Sequence, residues 1–260
     1  RRGARRGLLR PELAVLLAYA KLELYDTLLD SDIPDDPLLI GDLKLYFPQP
    51  LQERFPDEIK QHRLRREIIA TYGTNSVVNR GGASCVSEAQ DRTGLSAADV
   101  ASAYAVVRDD IGMQDLRIRI EALDYQAPAM LQLEMLREIQ RLVDRVVMWL
   151  LRHEEQPMDI SKVNAIYAPG VAALRDRIGD LISTENRRVV DARVVGFEQF
   201  GAPADLAWAV GSLTQLSPAM DVITIARAVD ADPLAVGAVY FELGEALSFD
   251  WLRGAAATLP

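Results

Sequence analysis

The chain has 260 residues, 49% of them apolar and 7% aromatic, and its 38 acidic and 29 basic side chains give a formal charge of −9. That length supports a full hydrophobic core and excludes an intrinsically disordered chain or a disulfide-stapled miniature. A single cysteine, Cys85, excludes an internal disulfide and a four-cysteine zinc site and fits a reducing, cytoplasmic compartment.

No apolar run approaches the roughly 20 residues that span a bilayer, so no membrane partner is expected. Five of the bases stand at Arg1, Arg2, Arg5, Arg6 and Arg10 with no acid among them, which leaves 24 bases against 38 acids in the rest of the chain. A field of that sign repels phosphate, and no nucleic-acid partner is expected. The arginine-rich start reads as a connection to something upstream.

Apolar residues recur at helical spacing throughout, and the boundaries read as helix caps, so the fold class is all-α: a multi-helix bundle of about a dozen helices. The first helix opens at Arg10-Pro11-Glu12, where proline loses no hydrogen bond and a carboxylate faces the positive end of the dipole, and runs to about Asp30. Leu13, Leu16, Leu17, Ala20, Leu24 and Leu28 form one stripe, with Val15, Tyr19, Leu22, Tyr25 and Leu29 over much of the other side. A helix apolar nearly all round is expected at the centre of a bundle. The proline-punctuated segment 31–37 leads to a short helix ending near Tyr46-Phe47, followed by a longer one from about Asp57 to Asn79.

Gly81-Gly82 breaks that helix, Thr93-Gly94 closes the next, and Ser96 with Asp99 caps the one after, which carries Val100, Tyr104 and Val107 toward the core. Residues 127–153 give the clearest period, through Leu136, Ile139, Val143, Val146 and Leu150. Ile160, Val163, Tyr167, Val171, Leu174, Ile178 and Leu181 repeat it, which suggests one long antiparallel helical hairpin whose second arm is kinked or interrupted at Pro169-Gly170. Four shorter helices complete the chain, with caps expected at Ser217 and Asp232. In the last, Val236, Val239, Tyr240, Leu243, Leu247 and Trp251 share one face. A soft boundary near residue 155 divides an N-terminal helical subdomain, 1–155, from a C-terminal one, 156–260, unless the two form one domain. Ser96, Val100 and Tyr104 match Asp232, Val236 and Tyr240 at a constant offset, a similarity that two capped amphipathic helices share by chance.

Catalytic and metal constellations do not emerge. Asp35-Asp36 and Asp109-Asp110 lack a second carboxylate one turn on, as a magnesium-binding aspartate pair would need, and read as solvated helix-end acids. His62 and His153 are far apart and embedded in charged helix surface. Cys85 has no basic cluster to hold a thiolate and reads as packing. Arg80-Gly81-Gly82-Ala83 has neither the spacing nor the preceding strand of a dinucleotide or phosphate loop. The most conspicuous polar group is Gln61 to Glu67 with Asn75, Asn79 and Arg80. It is either a solvated face paired along the helix or a surface whose arginines and asparagines dock a partner domain by forked hydrogen bonds.

The strings Leu9-Arg-Pro-Glu-Leu-Ala-Val-Leu-Leu-Ala-Tyr-Ala-Lys21, Leu24-Tyr-Asp26, Ser31-Asp-Ile-Pro-Asp-Asp36, Tyr46-Phe-Pro48 and His62-Arg-Leu-Arg-Arg-Glu-Ile-Ile-Ala-Thr71 carry a resemblance. So do Val78-Asn-Arg80, Thr93-Gly94, Ala122-Leu-Asp124 and Asp250-Trp-Leu252. Together they resemble the C-terminal helical region of the large bacterial NAD-specific glutamate dehydrogenases, over essentially the whole chain. Arg10 and Ala83-Ser84-Cys85 depart from the family pattern.

The resemblance implies a non-catalytic module of a longer enzyme that oxidises L-glutamate to 2-oxoglutarate and ammonium with NAD. The catalytic lysine and aspartate and the glycine-rich dinucleotide fold then lie upstream, and no catalytic, cofactor or metal residue falls in this chain. The expected partners are the upstream dehydrogenase domain, docked through Arg63, Arg66, Asn75, Asn79 and Arg80, and further copies in a full-length homo-oligomer. The alternative is an autonomous helical protein-interaction adaptor.

Overall fold

A computed structural model of the chain describes residues 7–110 and 113–247. Among them are fourteen α-helices, three short 3-10 turns and no strand. The fold is all-α, as expected. The chain forms two compact units, one from Arg1–Val107 with Val147–Val163 and one from Arg108–Val146 with Asn164–Pro260.

In the first unit, α1 spans Arg10–Leu29. Its start follows the expected chemistry: Pro11 lies in the first turn, and Glu12 Oε2 reaches back to accept from the Leu9 N–H at 2.7 Å. Its position does not follow the sequence reading. Leu24 and Leu28 are buried, but the apolar side chains from Leu9 to Leu22 are largely exposed on both sides of the helix. All-round apolarity states that a helix is to be covered and not by what. Here α5 (Arg65–Gly81) packs along α1, and the burial is confined to the C-terminal half. Gly73 of α5 lies at that contact, where a Cβ would meet Leu28 Cδ1 at an ordinary van der Waals distance of 3.4 Å.

Between them lie two 3-10 turns, Ile33–Asp35 and Pro37–Leu39, and three short helices, α2 (Ile40–Leu45), α3 (Gln49–Arg54) and α4 (Pro56–Lys60). The single helix expected over 57–79 is two helices. His62 Nδ1 accepts the Leu64 N–H at 3.2 Å, a local bond that competes with the helical ladder at 61–64. Beyond Gly82, whose φ of 92° ends α5, come α6 (Cys85–Thr93) and α7 (Ala97–Asp110). Gly94 ends α6 in the left-handed conformation, φ 74°. Ser96 and Asp99 exchange the two bonds of a capping box: the Ser96 N–H donates to Asp99 Oδ2 at 2.9 Å and the Asp99 N–H to Ser96 Oγ at 3.2 Å. Val100, Tyr104 and Val107 are buried.

Two long helices follow the short α8 (Met113–Glu121): α9 (Ala129–His153) and α10 (Ile160–Leu181). Ile139, Val143, Val146 and Leu150 of α9 are buried, as are Ile160, Val163, Tyr167, Val171, Leu174 and Ile178 of α10. α10 runs through Pro169 without interruption. The adjacent Gly170 sits under α13 (Ala219–Ala228), where a Cβ would lie 2.7 Å from Ile223 Cγ1.

The second unit also contains α11 (Thr184–Gln199), α12 (Ala204–Gly211) and α14 (Pro233–Ala246). Asp232 caps α14 by accepting the Leu234 N–H at 3.1 Å. Ser217 is not a cap: it donates to the Thr214 carbonyl and accepts from Arg145 Nη1, each at 2.7 Å. The face expected to be buried on α14 is turned by about a quarter of the helix. Val239, Leu243 and Leu247 are exposed and Val236 and Tyr240 half-buried, while α14 meets α13 at the buried Gly237, where a Cβ would lie 2.9 Å from Leu174 Cδ2. Close backbone approach at glycine, which carries no hydropathy signal, decides the orientation. Trp251 lies outside the described residues.

Valine at Gly170 is expected to lower stability by about 1–3 kcal/mol through overpacking against Ile223. Gly196→Ala, where a Cβ meets nothing within 4 Å, is expected to raise it by about 0.5–1 kcal/mol; denaturant melts of both variants check the contrast. Asp36 accepts the Leu38 N–H at 2.9 Å and both the N–H (3.2 Å) and the hydroxyl of Ser161, tying a 3-10 turn to the start of α10. Asp36→Ala is expected to lose about 1–3 kcal/mol in the same melts.

Candidate docking site

The five residues expected to form one docking face are distributed differently. Arg66 Nη2 donates to the carbonyls of Leu29 and Ser31, both at 2.8 Å, and its guanidinium pairs with Asp35. These are the orphan carbonyls at the C-terminal end of α1, where a cation is also favoured by the helix dipole. Arg65 joins the same carboxylate at 2.7 Å. Asn75 Oδ1 accepts from Lys21 Nζ at 2.8 Å, a second link between α5 and α1. Arg63 is exposed in the turn between α4 and α5, Asn79 is exposed near the end of α5, and Arg80 is half-buried with an interaction inside the chain. Arg66 and Asn75 thus clamp α1, while Arg63 and Asn79 face outward.

Beside this clamp is a cavity of about 500 Å³ whose lining includes Asp32, Asp35, Asp36, Asp99 and Asp159. Most of these carboxylates hold chain ends. Asp35 pairs with Arg65 and Arg66, Asp36 secures α10, Asp99 caps α7, and Asp159 accepts the Lys162 N–H at 2.9 Å. Asp35-Asp36 is therefore a pair of structural acids rather than merely solvated ones. Among the described residues no group of three or more histidine, cysteine or acidic side chains is arranged to hold a metal.

A second polar centre, in the other unit, was not legible in the sequence. Glu138 of α9 is buried with its side chain 9% exposed, and accepts from Arg141 Nη1 at 2.5 Å and Arg193 Nη1 at 3.3 Å. Arg193, on α11, also reaches Thr214 Oγ1 at 3.2 Å and the Gly211 carbonyl at 3.5 Å. A buried carboxylate is tolerated when paired and hydrogen-bonded in this way, and the arginine fork fastens α11 to α9 and to the end of α12. The Glu138–Arg141 half is visible as an i, i+3 pair; Arg193, 55 residues on, leaves no local signal.

The remaining candidates are engaged in packing. His62 meets the Phe47 ring edge-on at 5.5 Å, and His153 stacks on Trp149 at 4.4 Å with Nδ1 2.8 Å from the Trp149 carbonyl. Cys85 is half-buried, its thiol 3.9 Å from the Val77 carbonyl. Gly81 and Gly82 join one helix to another, so they do not fit the strand-to-helix turn that cradles a dinucleotide pyrophosphate.

Residues 5–260 match the family described as glutamate dehydrogenase, C-terminal. The NAD-specific glutamate dehydrogenase of Pseudomonas aeruginosa is 36% identical over 257 residues, 99% of this chain. That of Halomonas elongata is 35% identical over 246 residues, 95% of the chain, and that of Mycobacterium tuberculosis 32% over 254 residues, 98%. The chain spans only 15–16% of the length of these relatives. Matched by the family over residues 5–260 and by the relatives over 95–99% of its length, the chain belongs to the glutamate dehydrogenase C-terminal family.

Proposed function

We propose that this chain is the C-terminal helical module of a much longer NAD-dependent glutamate dehydrogenase. In the full-length enzyme L-glutamate and NAD become 2-oxoglutarate, ammonium and NADH on polypeptide that precedes Arg1, in the cytoplasm, and this module takes no chemical step. It supports or regulates the upstream domain within a homo-oligomer. The observation that carries the reading is the coverage: near-complete on this chain, about one-sixth on relatives named for the activity. The employment of Asp35, Asp36, Asp99 and Asp159 as caps and ion-pair partners supports the non-catalytic assignment, because a carboxylate committed to an N–H or a guanidinium is a poor general base.

Within this reading the five candidate docking residues divide their work. Arg63 and Asn79 face the upstream domain, Arg66 and Asn75 keep α5 and α1 aligned as its platform, and Arg80 steadies the end of α5.

The full-length enzyme is expected to reduce NAD with L-glutamate, followed at 340 nm, and purified 1–260 to give no turnover. NADH production by 1–260 alone would overturn the non-catalytic assignment. In full-length enzyme, Arg63→Ala with Asn79→Ala is expected to weaken docking by about 1 kcal/mol, read as faster proteolytic release of the module. Unchanged release would move the docking surface elsewhere.

A further inference from the structure

The first turns of α1 carry apolar side chains that the described chain leaves uncovered. Leu9, Leu13, Val15, Leu16, Tyr19 and Leu22 are all between 50% and 67% exposed, and Leu17 is 36% exposed. At about 100° per residue they form one continuous arc of about 220° around the helix axis, from Leu22 through Val15, Tyr19, Leu16 and Leu13 to Leu17. Residues 13–20, Leu-Ala-Val-Leu-Leu-Ala-Tyr-Ala, include no charged side chain. A patch of this extent is more than the scattered apolar residues that any soluble surface tolerates. The other half of the same helix is fixed: Leu24 and Leu28 are buried, Lys21 holds Asn75, and Arg66 holds the Leu29 carbonyl. α1 is clamped at its base and bare over most of its circumference at its start.

The breadth of this arc discriminates between occupants. A flat partner, or a second copy meeting this helix across a two-fold axis, covers less than half of the circumference and leaves part of the arc in water. Covering all of it takes a groove that encloses the helix. The relatives supply about five-sixths of their length outside the matched region, and the bare half of α1 is the half nearest the polypeptide that precedes it, so the tether gives that polypeptide a high effective concentration.

We propose that residues 9–22 of α1 insert as an apolar pin into a groove of the polypeptide preceding this module in the full-length enzyme. The inference rests on the module assignment above and adds the contact: an apolar insertion, with the polar α5 residues at its margin.

The test uses full-length enzyme carrying photoreactive benzoylphenylalanine at Leu13 or Leu22, about 180° apart on the arc, with cross-links mapped by peptide mass spectrometry. Cross-links from both positions to residues upstream of Arg1 are the expected result. Cross-links to a second copy of the module, to residues 7–247 of the same chain, or to solvent-borne quencher alone overturn the inference. Hydrogen–deuterium exchange of residues 9–22 in unsubstituted enzyme is expected to be at least tenfold slower than in Leu16→Asp/Tyr19→Asp enzyme; equal rates overturn the proposal. Glutamate oxidation by the unsubstituted full-length chain is assayed in parallel. Turnover with cross-links elsewhere sinks the pin and spares the module assignment, whereas absence of turnover sinks the assignment itself.

Discussion

The packing of α1 on α5 is the contact on which the first unit depends. Leu24 and Leu28 bury against a helix that contributes Ile68, Ile69, Val77 and Val78 to the same core, and each such side chain removed from water stabilises the fold by roughly 1.5–3 kcal/mol. Apolar burial is non-directional and would let α1 slide or rotate. Direction comes from the polar atoms around it: Lys21 on Asn75, Arg66 on the Leu29 and Ser31 carbonyls, and the guanidinium pair on Asp35. The apolar contact supplies the larger share of the free energy and the hydrogen bonds select one register.

The same division recurs in the second unit with other residues. Its helices meet through buried aliphatic side chains and close glycine approaches, and Arg193 with Glu138 fixes their relative setting. Arg119 Nη2 on Asp205 Oδ2, at 2.5 Å, adds a link between α8 and α12. In both units an arginine fork joins elements far apart in sequence, because guanidinium satisfies several oxygens in one plane.

What could be read from the sequence was local. The Pro11-Glu12 start, the Gly94 stop, the Ser96–Asp99 box and the Asp232 cap involve residues within four positions of one another, and all appear as expected. The buried stripes of α9 and α10 follow from their period. Errors gathered where a distant partner decides. The exposure of Leu13 and Tyr19 depends on how far α5 extends along α1; the quarter-turn of α14 depends on Gly237 fitting against Leu174; Ser217 turned to Arg145 instead of capping. The intrachain bonds of the docking group were hidden for the same reason, since Arg66 and Asn75 are polar residues at one-turn spacing whether they face a foreign domain or a neighbouring helix. Family membership came from ordered strings of residues, which carry ancestry that hydropathy and charge do not.

Each compact unit is assembled from two separate stretches of chain, and all three crossings, after Val107, after Val146 and after Val163, fall inside helices rather than in loops. No single peptide cleavage can therefore release either unit whole. Unravelling α9 or α10 removes buried side chains from both cores at once, Val143 from one and Leu150 from the other in the case of α9. Local melting in either helix is thereby felt in both units.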